Sequence, residues 1–376
     1  MCNYKESHER INYRRFFTVN NLICLNIHLQ PVFDDYHALV KKLIDDGIID
    51  GLRIDHVDGL YDPTLYLQQL RELCGNEVYI VVEKILEAGE SLPADWPIQG
   101  TTGYDLLGSV NQVFTNEKAE KKFNKFYKGI GEFNSSIATQ ILNKKKDFLN
   151  AFMNGELDNL LQLFSSLTSS KFNSREAFQY KEIIADFLVR CPIYRFYRNS
   201  SEDNNSERKL IEEIVQSMEE RLEWKEPLEL FISILFAQDS RFFFRLMQFT
   251  GPLMAKGVED TLMYTFNRFI GNNEVGDSPE VFGISVDEFH EKILERQSKW
   301  PLTMNCSATH DTKRGEDARA RLNALTGLKG AWIKEAANWK DLNLELKRNR
   351  NPVENDEYFI YQHLISTYPE SPEEQE

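Results

Sequence analysis

The pattern of apolar and polar residues predicts a strand, a helix and a second strand near the start of the chain. Leu52 and Ile54 alternate with charged residues, which predicts a strand over 51–55. Residues 63–74 begin with proline, carry leucines at helical spacing and are followed by glycine, which predicts a helix. Residues 78–82 are apolar throughout and predict a buried strand. The crossover of such a β-α-β unit implies parallel strands.

Helical patterns dominate most of the remaining chain. Residues 34–46 predict a helix, and residues 22–28 predict a short strand or extended segment. Long stretches rich in Lys and Glu, with Leu and Phe at intervals, predict a mainly helical insertion over 115–245. Strand-like alternation returns over 302–309 and ends just before Asp311. We therefore expect a third strand there.

Composition and charge narrow the classes of function. The chain has 376 residues, of which 41% are hydrophobic, and a formal net charge of -15. Because binding to a phosphate backbone needs clustered Lys and Arg, this balance argues against a nucleic-acid partner. The N-terminus is too polar for a signal peptide, and no apolar run approaches the roughly 18 residues of a membrane span. We expect a soluble, cytoplasmic protein without a membrane partner.

The cysteine pattern predicts neither a disulfide framework nor a zinc site. The five cysteines are odd in number, widely spaced and without a C-x-x-C pair. His and Cys residues show no spacing typical of metal ligands, so we expect no metal and no cofactor. Bound calcium stays an open alternative.

Two carboxylates stand at the ends of the two predicted parallel strands. Retaining cleavage of a glycosidic bond uses a carboxylate nucleophile and a carboxylic acid about 5–5.5 Å away. Adjacent strands lie about 4.8 Å apart, so side chains at their ends can reach that separation. We therefore predict Asp55 as nucleophile and Glu83 as acid/base, with a pKa raised by burial and by Asp55. Arg53, on the same face, would keep Asp55 ionised and oriented.

A third carboxylate, Asp311, would bind sugar hydroxyls and help to distort the ring. His56 and His310 would donate hydrogen bonds to hydroxyls. The structural alternatives are a simple ion pair for Arg53 and Asp55, and a capping pair for His310 and Asp311. Three carboxylates at three predicted strand ends together favour catalysis, because a fold alone does not need them.

Three segments resemble signature regions of the α-amylase superfamily. Residues 51–56, 81–84 and 308–314 are similar to its second, third and fourth regions, in that order. Narrower motifs resemble the glucosylmutases of this superfamily that act on (1→4)-α-D-glucans: residues 11–17, 99–105, 252–260, 273–276 and 313–322. The resemblance runs from about residue 10 to about residue 366.

The resemblance implies an α/β fold, a partial (β/α)8 TIM barrel of the α-amylase type with strands 4 to 7 or 8 and a large helical insertion. Residues 1–114 would form a barrel segment with the nucleophile and the acid/base. Residues 115–245 would be the insertion, residues 246–366 a later barrel segment with Asp311, and residues 367–376 an acidic tail.

The resemblance also implies an intramolecular transfer on maltooligosaccharides. The reducing-end α-1,4 bond would become an α,α-1,1 bond by a retaining double displacement, giving a maltooligosyl trehalose. Polar residues of the narrower motifs would hold the released glucose, although capping or ion pairing is an equal alternative for each: Arg14, Arg15, Tyr104, Lys256, Glu259 and Asp260.

Part of the superfamily pattern has no match in this sequence. The first signature region would lie before residue 11, so the first three strands are expected to be missing. An open barrel exposes a strand edge and apolar surface, so a partner segment or self-association is expected to complete it. Alternatives to the mutase are an α-glucan hydrolase, another transglycosylase of the superfamily, or an inactive glucan-binding fragment.

Overall fold

A computed structural model of the chain describes residues 6–131, 135–168, 171–198, 204–219, 221 and 224–369. This part of the chain is mostly helical, with two small sheets. It divides into two compact units. Unit 1 comprises the described residues among 1–84, 89–100 and 142–258, and unit 2 those among 85–88, 101–141 and 259–376.

Helices form most of both units. In chain order the α-helices are α1 (Ser7–Arg10), α2 (Gln30–Asp45), α3 (Pro63–Cys74), α4 (Tyr104–Phe114), α5 (Glu120–Ile130), α6 (Ile137–Phe152), α7 (Asn154–Leu167), α8 (Ser174–Arg190), α9 (Asn204–Met218), α10 (Lys225–Leu235), α11 (Arg241–Leu253), α12 (Met263–Thr265), α13 (Val286–Lys299), α14 (Glu316–Gly327), α15 (Ala331–Leu342) and α16 (Glu354–Thr367). A π-helix spans Met254–Leu262. Among the described residues, none of the helices combines the length and the apolar character of a membrane span.

The predicted β-α-β unit is confirmed in unit 1. After the antiparallel pair β1 (Arg15–Phe16) and β2 (Val19–Ile23), β3 (Gly51–Ile54) pairs in parallel with β4 (Tyr79–Val82). Helix α3 joins β3 to β4 and has the predicted bounds. A short β5 (Gly100–Thr101) completes the sheet order β3-β4-β5.

Local sequence signals explain the bounds of these elements. The Asp62 side chain accepts a hydrogen bond from the amide of Leu65 at 3.0 Å, which caps the start of α3. Gly75, with φ 84°, ends the helix in a conformation that favours glycine. Helix α2 was predicted from residue 34 and begins at Gln30, because Pro31 suits a first helical turn. The extended segment predicted over 22–28 overlaps β2 only at its start.

Aromatic side chains fill the core of the helices in unit 1. Phe164, Phe187, Phe231 and Phe242 are all 0% exposed, and the ring centroids of Phe164 and Phe242 are 5.2 Å apart. Large buried rings contribute much of the apolar area that stabilises a helical core. These residues come from α7, α8, α10 and α11, within the predicted insertion, whose bounds at 115 and 245 stay a prediction.

The strand predicted over residues 302–309 is wrong. The amide of Met304 donates to the carbonyl of Thr101 at 3.1 Å, but no ladder of such bonds follows in the described residues. Leu302 and Met304 are 62% and 43% exposed, so the alternating apolar residues face no packed surface. An extended segment becomes a strand only when neighbouring backbone pairs with it. Asp311 consequently lies in an irregular loop, and residues 370–376 of the predicted tail lie outside the described residues.

Candidate active site

Asp55 and Glu83 lie side by side in unit 1 because their strands are parallel and in register. Asp55 follows the last residue of β3, and Glu83 follows the last residue of β4. The amide of Glu83 donates to the carbonyl of Ile54 at 2.8 Å, which extends the strand pairing to the carboxylates. Carboxyl ends of parallel strands share one edge of a sheet, the usual place for catalytic residues in α/β proteins.

Arg53 contacts both carboxylates. One of its guanidinium nitrogens donates to Asp55, and the other lies 3.4 Å from Glu83 Oε2. The Asp55 side chain is 59% exposed, whereas that of Glu83 is 15% exposed. The pair therefore consists of one accessible carboxylate and one largely buried carboxyl group.

This difference in environment separates the pKa values of the two groups. A hydrogen bond with Glu83, helped by Arg53, lowers the pKa of Asp55. Burial, followed by the hydrogen bond with Asp55, raises the pKa of Glu83 to about 8. At neutral pH Asp55 is therefore ionised and Glu83 protonated, which suits a nucleophile and a proton donor.

A strained turn follows Asp55. His56 has φ 44°, a left-handed conformation that costs a non-glycine residue about 1–2 kcal/mol. Its amide donates to Glu83 Oε2 at 2.9 Å, so the turn directly holds the proposed acid/base. Burial lowers the pKa of the imidazole to about 4, so the ring is neutral near pH 7. A Cβ on Gly59 would meet the ring at 2.4 Å, which explains the glycine there.

Phe17 adds a second strained residue to this site. Its φ is 49°, and its ring centroid is 4.8 Å from that of His56. The Nζ of Lys256 lies 4.9 Å from the centre of the Phe17 ring, a cation–π distance. Strained conformations cluster at functional sites, where the surrounding structure holds them.

The two predicted arginines of the 11–17 motif differ in their surroundings. Arg14 is partly exposed and donates to the carbonyl of Gly59 at 2.9 Å, next to the strained turn. Arg15 is buried in an ion pair with Glu156 at 2.8 Å and donates to the carbonyl of Phe152 at 2.8 Å. These contacts favour a structural role for Arg15.

Asp311 lies in unit 2 with its own set of contacts. The hydroxyl of Tyr104 donates to Asp311 Oδ2 at 2.5 Å, and His310 Nε2 is 3.5 Å from the same oxygen. His310 is exposed, with 72% of its side chain accessible. Gly103, which precedes Tyr104, has φ 97° and lies so close to the 304–306 backbone that a Cβ would meet Met304 O at 2.7 Å. The glycine thus lets Tyr104 approach the Asp311 loop.

A buried ion pair anchors the same loop. Glu274 is 0% exposed, accepts the Lys313 amide at 2.5 Å and contacts Arg314 at 3.1 Å. The sequence motif 273–276 was noted, but its role as an anchor of this loop was missed. A buried carboxylate is stable only beside a partner of opposite charge. Arg314, three residues after Asp311 and with a side chain only 4% exposed, supplies that charge to Glu274.

The remaining predicted residues lie on the π-helix. Glu259 is 8% exposed, and Asp260 is exposed. π-helical turns are rare in proteins, and those that occur are often found at functional sites. The structure therefore places Arg14, Arg15, Arg53, Asp55, His56, Glu83 and Lys256 in unit 1, and Tyr104, Glu259, Asp260, His310 and Asp311 in unit 2. In the described part of the chain, no three His, Cys, Asp or Glu side chains are grouped to hold a metal ion.

Comparison with known proteins places this geometry in a family. A Mycobacterium tuberculosis protein provisionally named maltooligosyl trehalose synthase is 32% identical over 327 residues, 87% of this chain and 41% of that protein. The structure of maltooligosyltrehalose synthase from Arthrobacter ramosus matches 99% of this chain and 46% of its own, with TM-score 0.86 and 29% identity. The chain is a homologue of the maltooligosyl trehalose synthases.

Other comparisons agree with this relationship. The structure titled DSM5389 glycosyltrehalose synthase is 36% identical, with TM-score 0.78, over 95% of this chain and 43% of that one. No protein-family model matches the chain. The chain spans about two fifths of the length of the curated maltooligosyl trehalose synthases that it matches, 41%. The predicted resemblance to this branch of the α-amylase superfamily is confirmed.

Proposed function

We propose that the protein rearranges the reducing end of maltooligosaccharides, converting the terminal α-1,4 bond into an α,α-1,1 bond. The carrying observation is the pair Asp55 and Glu83 at the ends of two paired parallel strands, both in contact with Arg53 and with pKa values shifted in opposite directions. The names of the homologous synthases support the choice of substrate and product. We also propose that β3, α3 and β4 belong to a (β/α)8 barrel of the α-amylase type.

The first step is a displacement at the anomeric carbon next to the reducing-end glucose. The Asp55 carboxylate forms a bond to this carbon while the glycosidic C–O bond breaks, and Glu83 gives its proton to the departing oxygen. The products are a glycosyl ester on Asp55, a free glucose and an ionised Glu83. Arg53, next to both carboxylates, stabilises the negative charge that moves from Asp55 to Glu83.

The second step joins the same two sugars in a new way. The retained glucose turns and presents its anomeric hydroxyl, from which the Glu83 carboxylate removes the proton. The hydroxyl oxygen attacks the anomeric carbon of the glycosyl ester, and the bond between this carbon and the Asp55 oxygen breaks. This step restores both carboxyl groups to their starting states and leaves an α,α-1,1 bond, with configuration retained through two inversions.

A mutase must also hold the free glucose and exclude water during this turn. In unit 1 we assign this role to Arg14, Lys256 and the neutral His56. Lys256 and His56 contact the Phe17 ring, and Arg14 donates to the carbonyl of Gly59. In unit 2 we assign binding of sugar hydroxyls to Asp311, with Tyr104 and His310 as its hydrogen-bonding neighbours. Glu259 and Asp260 are further candidates for contacts with hydroxyls.

The test is to incubate the pure protein with maltopentaose and to follow reducing ends and anomeric NMR signals. Loss of reducing ends, with an α,α-1,1 signal and no change in chain length, is the expected result. Release of glucose or shorter chains as main products would instead identify a hydrolase or another transglycosylase. Binding by calorimetry without turnover, unchanged by Asp55→Asn, would reject catalysis. Asp45→Asn, on the exposed face of α2, is the matched control.

A further inference from the structure

A buried ion cluster lies under the turn that follows β3. The Nζ of Lys84 is 3.2 Å from Asp58 Oδ2 and 2.6 Å from Glu90 Oε1. The side chains of Lys84, Asp58 and Glu90 are 0%, 3% and 8% exposed. Burial of charged groups is unfavourable unless they are paired at close range, so the cluster constrains the positions of its members.

Two more side chains hold the same turn. The hydroxyl of Tyr197 donates to Asp58 Oδ1. Arg195 is fully buried and donates to the carbonyl oxygens of Asp58 at 2.9 Å and Tyr61 at 2.7 Å. The turn is therefore fixed both through the Asp58 side chain and through its backbone.

This turn bears directly on the Glu83 carboxyl group. His56 donates its amide to Glu83 Oε2 at 2.9 Å, and the Val57 amide lies 3.4 Å from the Glu83 carbonyl. Lys84 follows Glu83 in the chain and contacts Asp58 in the turn. The turn after β3 is consequently linked to the end of β4 twice, by the His56 amide at the Glu83 carboxyl group and by Asp58 at the next residue, Lys84.

We propose that Lys84 is a positioning residue for Glu83. Its ammonium group fixes Asp58, and thereby fixes the turn whose His56 amide holds the Glu83 carboxyl group in place. The role rests on the proposed function of Glu83 as the acid/base. A lysine with a structural role only would stabilise unit 1 without affecting the rate of the folded enzyme or the titration of Glu83.

Two variants that remove charges of opposite sign distinguish positioning of Glu83 from a direct electrostatic effect on its pKa. Lys84→Met removes a positive charge and Asp58→Asn a negative one, so direct fields would shift the pKa of Glu83 in opposite directions. Loss of the His56 amide bond acts differently, because that bond favours the ionised carboxylate. If the turn loosens, both variants raise the pKa of Glu83. The charged groups facing Glu83, Asp55 and Arg53, are the same in both.

The experiment measures kcat and KM for maltopentaose across pH, with melting temperature as a measure of folding. We expect both variants to lower kcat about tenfold to a hundredfold with little change in KM, and to move the alkaline limb to higher pH. As a control, Lys181→Met on α8 removes a lysine paired with Asp158 at 2.5 Å and should change neither kcat nor the alkaline limb. Opposite shifts of the limb, or unchanged kcat in the folded variants, would overturn the proposal.

The titration of Glu83 also tests the proposal without turnover. Carbon-13 NMR of protein labelled at the glutamate carboxyl groups, assigned with Glu83→Gln, reports the same pKa shifts directly. If the pKa of Glu83 shifts as expected but the protein does not turn over maltopentaose, the proposed function is rejected and the positioning role of Lys84 is retained. If Lys84→Met does not fold, Tyr197→Phe removes one hydrogen bond to Asp58 without a change of charge. An unchanged Glu83 titration in folded Tyr197→Phe would then overturn the positioning role.

Discussion

Asp55 and Glu83 follow the last residues of two paired parallel strands and both contact Arg53, yet their pKa values move in opposite directions. Burial raises the pKa of Glu83 to about 8, so this carboxyl group holds its proton near neutral pH. The less buried Asp55 keeps its negative charge beside Arg53. A nucleophile and a proton donor thus arise from two acidic side chains through the difference in their exposure.

The activity should follow the titration of this pair. Glu83 acts as an acid only when protonated, and its pKa is raised to about 8. We therefore expect kcat/KM to decrease as pH rises above about 8, and to decrease on the acid side only below the ordinary range of an aspartate. Initial rates on maltopentaose between about pH 4 and about pH 10 measure both limbs. A value of kcat/KM that already decreases as pH rises above about 5 would contradict the assignment of Glu83 as the acid.

Stability should depend on pH through the same group. In the unfolded chain Glu83 titrates near its ordinary value, whereas in the folded protein it holds its proton up to about 8. The unfolded state therefore binds fewer protons between these two values, and the folded state loses stability as pH rises through this window. Glu83→Gln removes this loss, so its stability relative to the wild type should increase from pH 5 to pH 8 in urea denaturation. An equal difference at both pH values would exclude the raised pKa.

Asp55→Asn should abolish turnover while leaving the fold intact. The change keeps the shape of the side chain but removes the nucleophile, so we expect a loss in kcat of roughly a thousandfold or more. The melting temperature should stay close to that of the wild type, because the Asp55 side chain is 59% exposed. A large drop in melting temperature together with activity would mark Asp55 as part of a structural ion pair.

Arg314→Met should destabilise the protein strongly. It leaves Glu274, whose side chain is 0% exposed, without its cationic partner. Breaking a buried pair in this way costs about 3–5 kcal/mol, and the double variant with Glu274→Gln should recover part of it. Urea denaturation measures both. Lys292→Met, on the exposed pair of α13, serves as control and should cost no more than about 1 kcal/mol.

Gly59→Ala should impair catalysis through His56. The added methyl group would lie 2.4 Å from the imidazole, so the ring or the turn must move. Because the His56 amide holds Glu83, we expect kcat to decrease by about tenfold to a hundredfold. Gly129→Ala, at a position with no atom within 4 Å of the new methyl group, is the matched control. Normal kinetics for folded Gly59→Ala would show that the turn tolerates the shift.

The parts of the fold that the sequence predicted depend on local signals. Helix α3 was predicted with its observed bounds because proline, leucine spacing and glycine all lie within it or next to it. Strand β3 was predicted from the alternation of apolar and charged residues, and β4 from a short apolar run that is buried in the structure. The prediction of a strand over 302–309 was wrong because a strand forms only when backbone distant in sequence pairs with it, and a local pattern does not report such pairing.

The site was predictable in its residue types but not in its geometry. The positions of Asp55, Arg53 and Glu83 followed from strand ends, since side-chain direction there is set by the pleat. The left-handed turn at His56 and the burial of Lys84 were missed, because both depend on contacts from residues more than a hundred positions away, such as Arg195 and Tyr197. The Asp58-Gly59 dipeptide, a turn signal, was the clue in the sequence.

The lowered pKa of His56, to about 4, also has a kinetic consequence. Among Asp55, His56 and Glu83, only Glu83 then gains or loses charge near neutrality. The glycosylation step accordingly moves a single hydrogen between enzyme and sugar. Rates measured in mixtures of light and heavy water should then fall in a straight line with the deuterium fraction.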